Sequence, residues 1–226
     1  MIFIENKKRK LENLQKDYPG AVILDLTSKS ENSAFRVLSP FYPHGNIPIP
    51  FSEGKTASSV EGIWQGLKVF KDVDIDYSCF TNDTMKDLKR SIRVNGEPLG
   101  HRKGVNGSEL LNYFEARMLI YLPSYKWVLD NVPAAHLAVE KIKHAAEKGD
   151  VILLDYNTND NFRDVERTLS HAGLVKLYIE GNYPDPEKGI NGYKPFTKEE
   201  AETYRKQQQE NKKKHIDGGI QMDLFN

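Results

Sequence analysis

Apolar residues along the chain fall into two patterns, short continuous runs and residues spaced at helical intervals, separated by proline- and glycine-rich stretches. Ala21-Val-Ile-Leu-Asp-Leu26, after a stop at Pro19-Gly20, and Val151-Ile-Leu-Leu-Asp-Tyr156 are too short and too uniformly apolar for surface helices. Each predicts a buried strand. Phe3, Ile4, Leu11 and Leu14 predict a first helix over residues 3–17. Further helices are expected from about Ser59 to Phe70, Thr84 to Arg93, Ser108 to Asn131 with a break or kink at Pro123, 135–148, and Ser170 to Ile179. Pro40, Pro43, Pro48 and Pro50 make 38–51 an extended loop. The expected fold is α+β, a single mainly helical domain over 1–181 with a few buried strands.

The pattern changes at Asn182. Pro184, Pro186, Gly189, Gly192 and Pro195 predict a linker over 182–196. Thr197-Lys-Glu-Glu200 is a capping box, and the helix it starts, to about Lys214, is almost wholly polar with no apolar face to bury. Residues 197–226 are therefore expected to form a charged, mobile tail, with Gly218-Gly219 releasing a final peptide at 221–225. Hydrophobic residues make up 38% of the 226, enough for a core in the first 181. Lys plus Arg and Asp plus Glu each number 32, which argues against a surface coated by a polyanion and leaves room for local basic patches. The single cysteine, Cys79, excludes an internal disulfide. No apolar run approaches the roughly 18 residues of a membrane span. The N-terminal charges follow too short an apolar start for a signal peptide, so a cytoplasmic protein without membrane association is expected.

The segment Val60-Glu-Gly-Ile-Trp-Gln-Gly-Leu-Lys-Val-Phe70 carries the most chemistry. At 100° per residue Val60, Ile63, Trp64, Leu67 and Phe70 form an apolar face, and Glu61, Gln65 and Lys68 line up beside it. Gly62 and Gly66 share the remaining side. Each glycine costs about 1 kcal/mol relative to alanine within a helix, so two of them one turn apart predict a close approach by another helix or a ligand. An amphipathic surface helix with solvated Glu, Gln and Lys is the alternative.

Three other clusters have two readings each. Leu99-Gly-His-Arg-Lys-Gly-Val-Asn-Gly107 sets His101, Arg102 and Lys103 among glycines, either as a phosphate-binding loop or as a solvated basic turn. Lys86, Lys89, Arg90 and Arg93 would form one cationic stripe on a helix over 84–93, with the loop a plausible nucleic-acid or phosphate surface. Asp155 and Asn157 follow the second strand, where functional side chains often sit and where ordinary turn chemistry also occurs. Glu115 and Arg117 read as a structural or substrate-facing pair, and His171 as a helix-start residue. The six histidines show no ligand spacing, so no metal and no cofactor is expected.

Ser39-Pro40-Phe41-Tyr42-Pro43 followed by Val60-Glu61 … Gln65 … Lys68 resembles the NADAR (YbiA-like) N-glycosidases, whose helix reads roughly Val-Glu-His-x-x-Gln-Ala-x-Lys-Phe. The chain departs from that pattern at Gly62, where the family has His, and at Ser39-Pro40, where it usually has Asn. The resemblance spans about 35–180. It implies cleavage between a ribose anomeric carbon and a base nitrogen. Glu61 would stabilise an oxocarbenium-like state or activate water, Lys68 would attack the anomeric carbon to form an imine, and Gln65 would orient the sugar or base. Phe41, Tyr42, Trp64, His101, Arg102, Lys103, Asp155 and Asn157 are the expected substrate contacts. Gln221-Met-Asp-Leu-Phe225 resembles the bacterial sliding-clamp-binding motif, with Leu224 and Phe225 as apolar anchors and Gln221 as a hydrogen-bonding amide. The expected function is thus an N-glycosidase acting on a nucleotide or nucleic acid and recruited by the DNA sliding clamp. The alternatives are a non-catalytic DNA-associated adaptor and a small-molecule nucleotide hydrolase.

Overall fold

The structure, a computed structural model, describes residues 1–223 and the side chains of residues 1–218. Leu224, Phe225 and the side chain of Gln221 lie outside the described residues. The chain opens with β1 (Ile2–Asn6), α1 (Leu11–Asp17), β2 (Val22–Asp25) and α2 (Ser33–Arg36). A hairpin of β3 (Ile47–Pro48) and β4 (Thr56–Ala57) leads to α3 (Val60–Gly66), β5 (Lys68–Val69) and α4 (Tyr77–Thr81). Next come α5 (Ile92–Asn95), β6 (Gly100–Arg102), β7 (Leu110–Leu111) and α6 (Tyr113–Ala116). A π-helical turn (Arg117–Tyr121) joins α6 to α7 (Leu122–Asn131), followed by α8 (Pro133–Lys148), β8 (Val151–Asp155), α9 (His171–Ile179) and α10 (Lys198–Asp223). The fold is α+β.

The organising sheet has the order β1-β8-β2, with both pairs parallel. Its middle strand is buried throughout, which is why it reads as an unbroken apolar run. Alternate residues serve opposite faces: Val151 and Leu153 join the main core, while Ile152 and Leu154 join a smaller one with Leu14 and Tyr18. Asp155 ends the central strand, so its side chain stands at the carboxyl edge of the sheet. In open α/β sheets that edge is where ligands bind.

Several expectations are corrected. Residues 3–17 are not one helix, because Ile2, Phe3 and Ile4 pair with residues 151–153 as β1. Residues 84–91 are not helical, and only the end of the expected helix, from Ile92, enters α5, so no cationic stripe forms. Met85 and Asp87 take positive φ, and Asn82 holds Thr84 and Lys86 in a tight turn. The helix expected over 59–70 ends at Gly66, and Lys68 belongs to β5, paired with His101. Residues 108–131 include β7 and the π turn, with Pro123 in the first turn of α7. The stretch 182–196 lies on the domain, with Tyr183 donating to the Leu122 carbonyl and Tyr193 packed on Phe162.

The C-terminal helix is also docked rather than solvated. Thr197 and Glu200 form the expected capping box. From there α10 runs over the face of the sheet opposite the main core, burying Ala201 and packing Ile216 on the smaller core. Its buried stripe is polar: Arg205 pairs with Asp164 and Glu166, Lys212 with Glu5, and His215 with Asp150. Apolar periodicity could not reveal a face made of charges whose partners lie far away in sequence. Among the described residues no helix is long and apolar enough to cross a membrane.

The paired glycines of α3 face α4. A Cβ at Gly62 would come 2.5 Å from the Cys79 carbonyl oxygen, and one at Gly66 would strike the Phe80 ring. The Cys79 carbonyl is backbone and cannot swing aside. Gly62→Ala is therefore expected to destabilise the fold by about 1–3 kcal/mol, despite alanine's better helix propensity. Urea denaturation checks this, and a more stable variant would contradict it.

Candidate active site

Ser59 caps α3 by accepting from the Gly62 amide, and the Glu61 amide donates to the Pro40 carbonyl at 2.8 Å. That second bond ties the Ser39-Pro40-Phe41 loop to the start of the helix. Glu61 and Gln65, one turn apart, then face a cavity of about 720 Å³. The other walls are Phe41, residues 89–92, the π turn, and the carboxyl ends of β2 and β8.

A hydrogen-bonded chain of three side chains runs along one wall. Gln65 donates from Nε2 to Glu61 Oε1 at 2.7 Å, and its Oε1 accepts from Lys68 Nζ at 3.0 Å. The Arg90 amide donates to the same Gln65 oxygen at 3.1 Å, so the amide cannot flip without breaking the chain. Glu61 is only 8% exposed. Burial raises its carboxyl pKa, opposed by the Gln65 hydrogen bond and the charges of Lys68, Lys89 and His171. Burial lowers the Lys68 ammonium, opposed by Glu61 and reinforced by Arg90 and Lys89. Both groups are thus moved towards their neutral forms, which fits proton transfer or nucleophilic work.

Trp64 forms the aromatic wall. Its ring lies 3.9 Å from the His101 ring, with Tyr113 and Tyr121 edge-on at 5.9 and 5.6 Å. Burial and the neighbouring Lys68 push His101 down to about 3, so it is neutral and offers no charge to a phosphate.

At the carboxyl edge of the sheet, His171 Nδ1 lies 3.0 Å from Asp155 Oδ2, and its Nε2 lies 2.9 Å from the Leu26 carbonyl. Both ring nitrogens face acceptors, so both carry protons and His171 is an imidazolium. Ser170 Oγ and the Tyr156 amide complete the shell of Asp155 at 2.7 and 2.6 Å. Burial alone would raise the Asp155 carboxyl, but the charge and hydrogen bond of His171 outweigh it and hold it at about 2.

Of the residues singled out in the sequence, Phe41, Glu61, Trp64, Gln65, Lys68, His101, Asp155 and Asn157 line this cavity. Tyr42 does not, and instead packs on His44 at 4.9 Å. Arg102 and Lys103 are also elsewhere, paired with Asp74 and Glu109. Both cations of the basic loop are thus turned to carboxylates and away from this cavity. Glu115 caps α6, while Arg117 turns inward to the carbonyls of Phe162, Asp164 and Arg167.

Sequence reasoning missed Tyr121 and the cavity-facing role of His171, while Arg117, read as structural or substrate-facing, lines the cavity without Glu115. A π turn adds a residue to the helical repeat, so a regular wheel misplaces Arg117 and Tyr121. Nothing local marks His171, whose partner is 16 positions away; a polar residue beside the N-cap Ser170 was the only signal. A second cleft of about 370 Å³ lies under α10, where charged groups such as Asp164 and Arg205 pair with each other.

The chain belongs to a family of unknown function, DUF6939, whose profile matches residues 6–175. That span contains every cavity residue named above. No curated protein and no solved structure matches the chain.

Proposed function

We propose that the protein is an N-glycosidase that hydrolyses the bond between a ribose anomeric carbon and a base nitrogen. The observation that carries this reading is the Glu61–Gln65–Lys68 chain on the wall of a large cavity faced by Trp64. Cleavage of such a bond develops positive charge on the sugar and negative charge on the departing base. A carboxylate beside the anomeric carbon answers the first, and an aromatic face holds a planar base. Water adds its oxygen to the anomeric carbon and passes a proton to Glu61. The carbon–nitrogen bond breaks with its electron pair on the base nitrogen, which takes the proton that Glu61 received and returns the carboxylate. Gln65 holds the carboxylate and the Lys68 ammonium in register through its two amide ends. The raised carboxyl pKa of Glu61 keeps it basic enough to take the proton.

The test is release of free base from nucleosides, nucleotides, ADP-ribosylated bases and oligonucleotides, followed by liquid chromatography. No release from any of them by folded protein would remove the reading and leave a binding module in its place.

Recruitment to DNA through the sliding clamp is part of the same proposal, and it rests on the sequence of Gln221, Leu224 and Phe225. Tethering would raise the local concentration of the domain near DNA to about the millimolar range. A labelled peptide of residues 215–226 is expected to bind purified bacterial clamp saturably, and to lose binding when Leu224 and Phe225 become Ala. A wild-type peptide that does not saturate at high micromolar clamp would refute recruitment and leave the glycosidase reading untouched.

A further inference from the structure

With Arg102 and Lys103 paired off, the charge balance of the cavity rests on other groups. Lys89, on the loop before α5, has no carboxylate partner among the described residues; its ammonium lies 5.8 Å from the centre of the Phe41 ring. Arg90 next to it is spent on backbone, donating to the carbonyls of Gln65, Lys68 and Asp74 at 3.2, 2.6 and 2.6 Å. Those bonds fix the loop against the ends of α3 and β5 and bring a second cation to the same corner, with Asp74 and Asp76 on its far side. Lys68 is the third. It shares the Gln65 oxygen with the Arg90 amide, which places the ammonium beside that residue's backbone. Lys68 has one side-chain acceptor in Gln65 and two N–H groups left over.

Three cations thus converge at one end of the cavity, between Phe41 and Trp64, in a chain of zero net charge. Among the described residues the carboxylates that line the cavity are Glu61, reached through an amide, Glu97, and Asp155, which is paired with His171. Lys89 and Lys68 oppose each other as like charges, and an anion between them resolves that conflict. The arrangement also has a division of labour: Arg90 is rigid and satisfied, while Lys89 is exposed and free to close on a ligand.

We propose that this corner is an anion subsite in which Lys89, with Lys68, grips a phosphate of the substrate. This rests on the glycosidase reading for the word substrate, and it narrows that substrate from nucleosides in general to phosphorylated ones. The phosphate can belong to a free nucleotide or to a nucleic-acid backbone, since the chemistry of recognition is the same.

The test is equilibrium binding to the full-length protein, by calorimetry, of adenosine and guanosine, their diphosphates, and a short single-stranded oligodeoxynucleotide. Binding is read whether or not base is released. Diphosphates are expected to bind about 10-fold or more tightly than nucleosides, and Lys89→Ala is expected to remove most of that preference. Lys89→Arg should restore part of it, and added salt should weaken it. Lys89 is exposed, so its replacement leaves the fold intact, which circular dichroism checks. An oligonucleotide that outbinds the diphosphates with the same Lys89 dependence identifies the anion as backbone phosphate; the reverse order identifies a free nucleotide. Equal binding of nucleosides and diphosphates, no binding of any phosphorylated probe, or a preference that survives Lys89→Ala would overturn the subsite. Lys89-dependent phosphate binding without base release would keep the subsite and sink the glycosidase reading.

Discussion

Replacing Glu61 by Gln is expected to lower base release by about three orders of magnitude or more while raising the stability of the fold. The first half follows from the role of the group: general acid–base and charge-stabilising carboxylates contribute about 10²–10⁴ to rate, and an amide of the same shape supplies neither proton nor charge. The second half follows from burial. A carboxyl whose folded pKa lies above its unfolded value takes up protons on folding, so its contribution to stability falls as pH rises through the unfolded pKa near 4.5. Above that pH the folded protein therefore holds a carboxyl that costs more there than in the unfolded chain, and Gln removes that cost. The Gln side chain can still accept the Gln65 Nε2 bond through its own carbonyl oxygen. Gain of stability with loss of turnover is the signature of a residue retained for chemistry. A purely structural Glu61 would give the opposite pair of results, and thermal melts run alongside base-release assays separate the two. Turnover unchanged in the Gln variant would mean that Glu61 does not perform the chemistry, whatever the wild-type protein cleaves.

The parts of this molecule legible in the sequence are those with local causes. The run Val151–Asp155 announced a strand buried on both sides, and β8 is one. Glu61 and Gln65 are one helical turn apart, so any helix there would stack them. Lys68 reaches the same chain of hydrogen bonds from β5, because a long side chain spans the gap that the end of α3 opens. The parts that were not legible have distant causes. The edge strand Ile2–Asn6 takes its conformation from residues about 150 positions later. The imidazolium of His171 depends on Asp155 and on the Leu26 carbonyl, 145 residues before it. The polar face of α10 is buried because Glu5, Asp150 and Asp164 wait for it on other elements. Charge pairing across such separations leaves no periodic trace, whereas apolar burial does.

Exchanging Asp155 for Asn should remove a dome-shaped part of the pH–stability curve, and it is the largest stability effect expected at the site. Two opposite shifts produce the dome. The carboxyl of Asp155 is held at about 2, below its ordinary 3.8, so its contribution is complete above about pH 4 and is lost as pH falls towards 2. For His171, burial favours the neutral ring, but the charge and hydrogen bond of Asp155 and the Leu26 carbonyl outweigh it and raise the pKa above 6.5. Its contribution is complete below about pH 6.5 and is lost as pH rises through the folded value. The pair is therefore strongest between about pH 4 and 6.5. Asn keeps the shape but not the charge, and an amide turned to donate to His171 forfeits the Ser170 bond, because both partners meet the position of Asp155 Oδ2. The imidazolium is then left buried without its counter-ion and gives up the Nδ1 proton, which lets that nitrogen accept from the new amide. Breaking a buried pair from one side costs about 3–5 kcal/mol, and this rearrangement brings the loss to the lower end of that range. The measurement is urea denaturation of both proteins from about pH 3 to 9, read as a difference curve so that all other titrating groups cancel. A difference that peaks in the window and declines on both sides is the expected result. A flat difference would mean that His171 is neutral in the folded protein, and the charge assigned to this end of the cavity would have to be withdrawn. Loss of that charge also leaves Glu61 without one of the cations that restrain its pKa, so the acidic limb of any base-release profile should move to higher pH in the same variant.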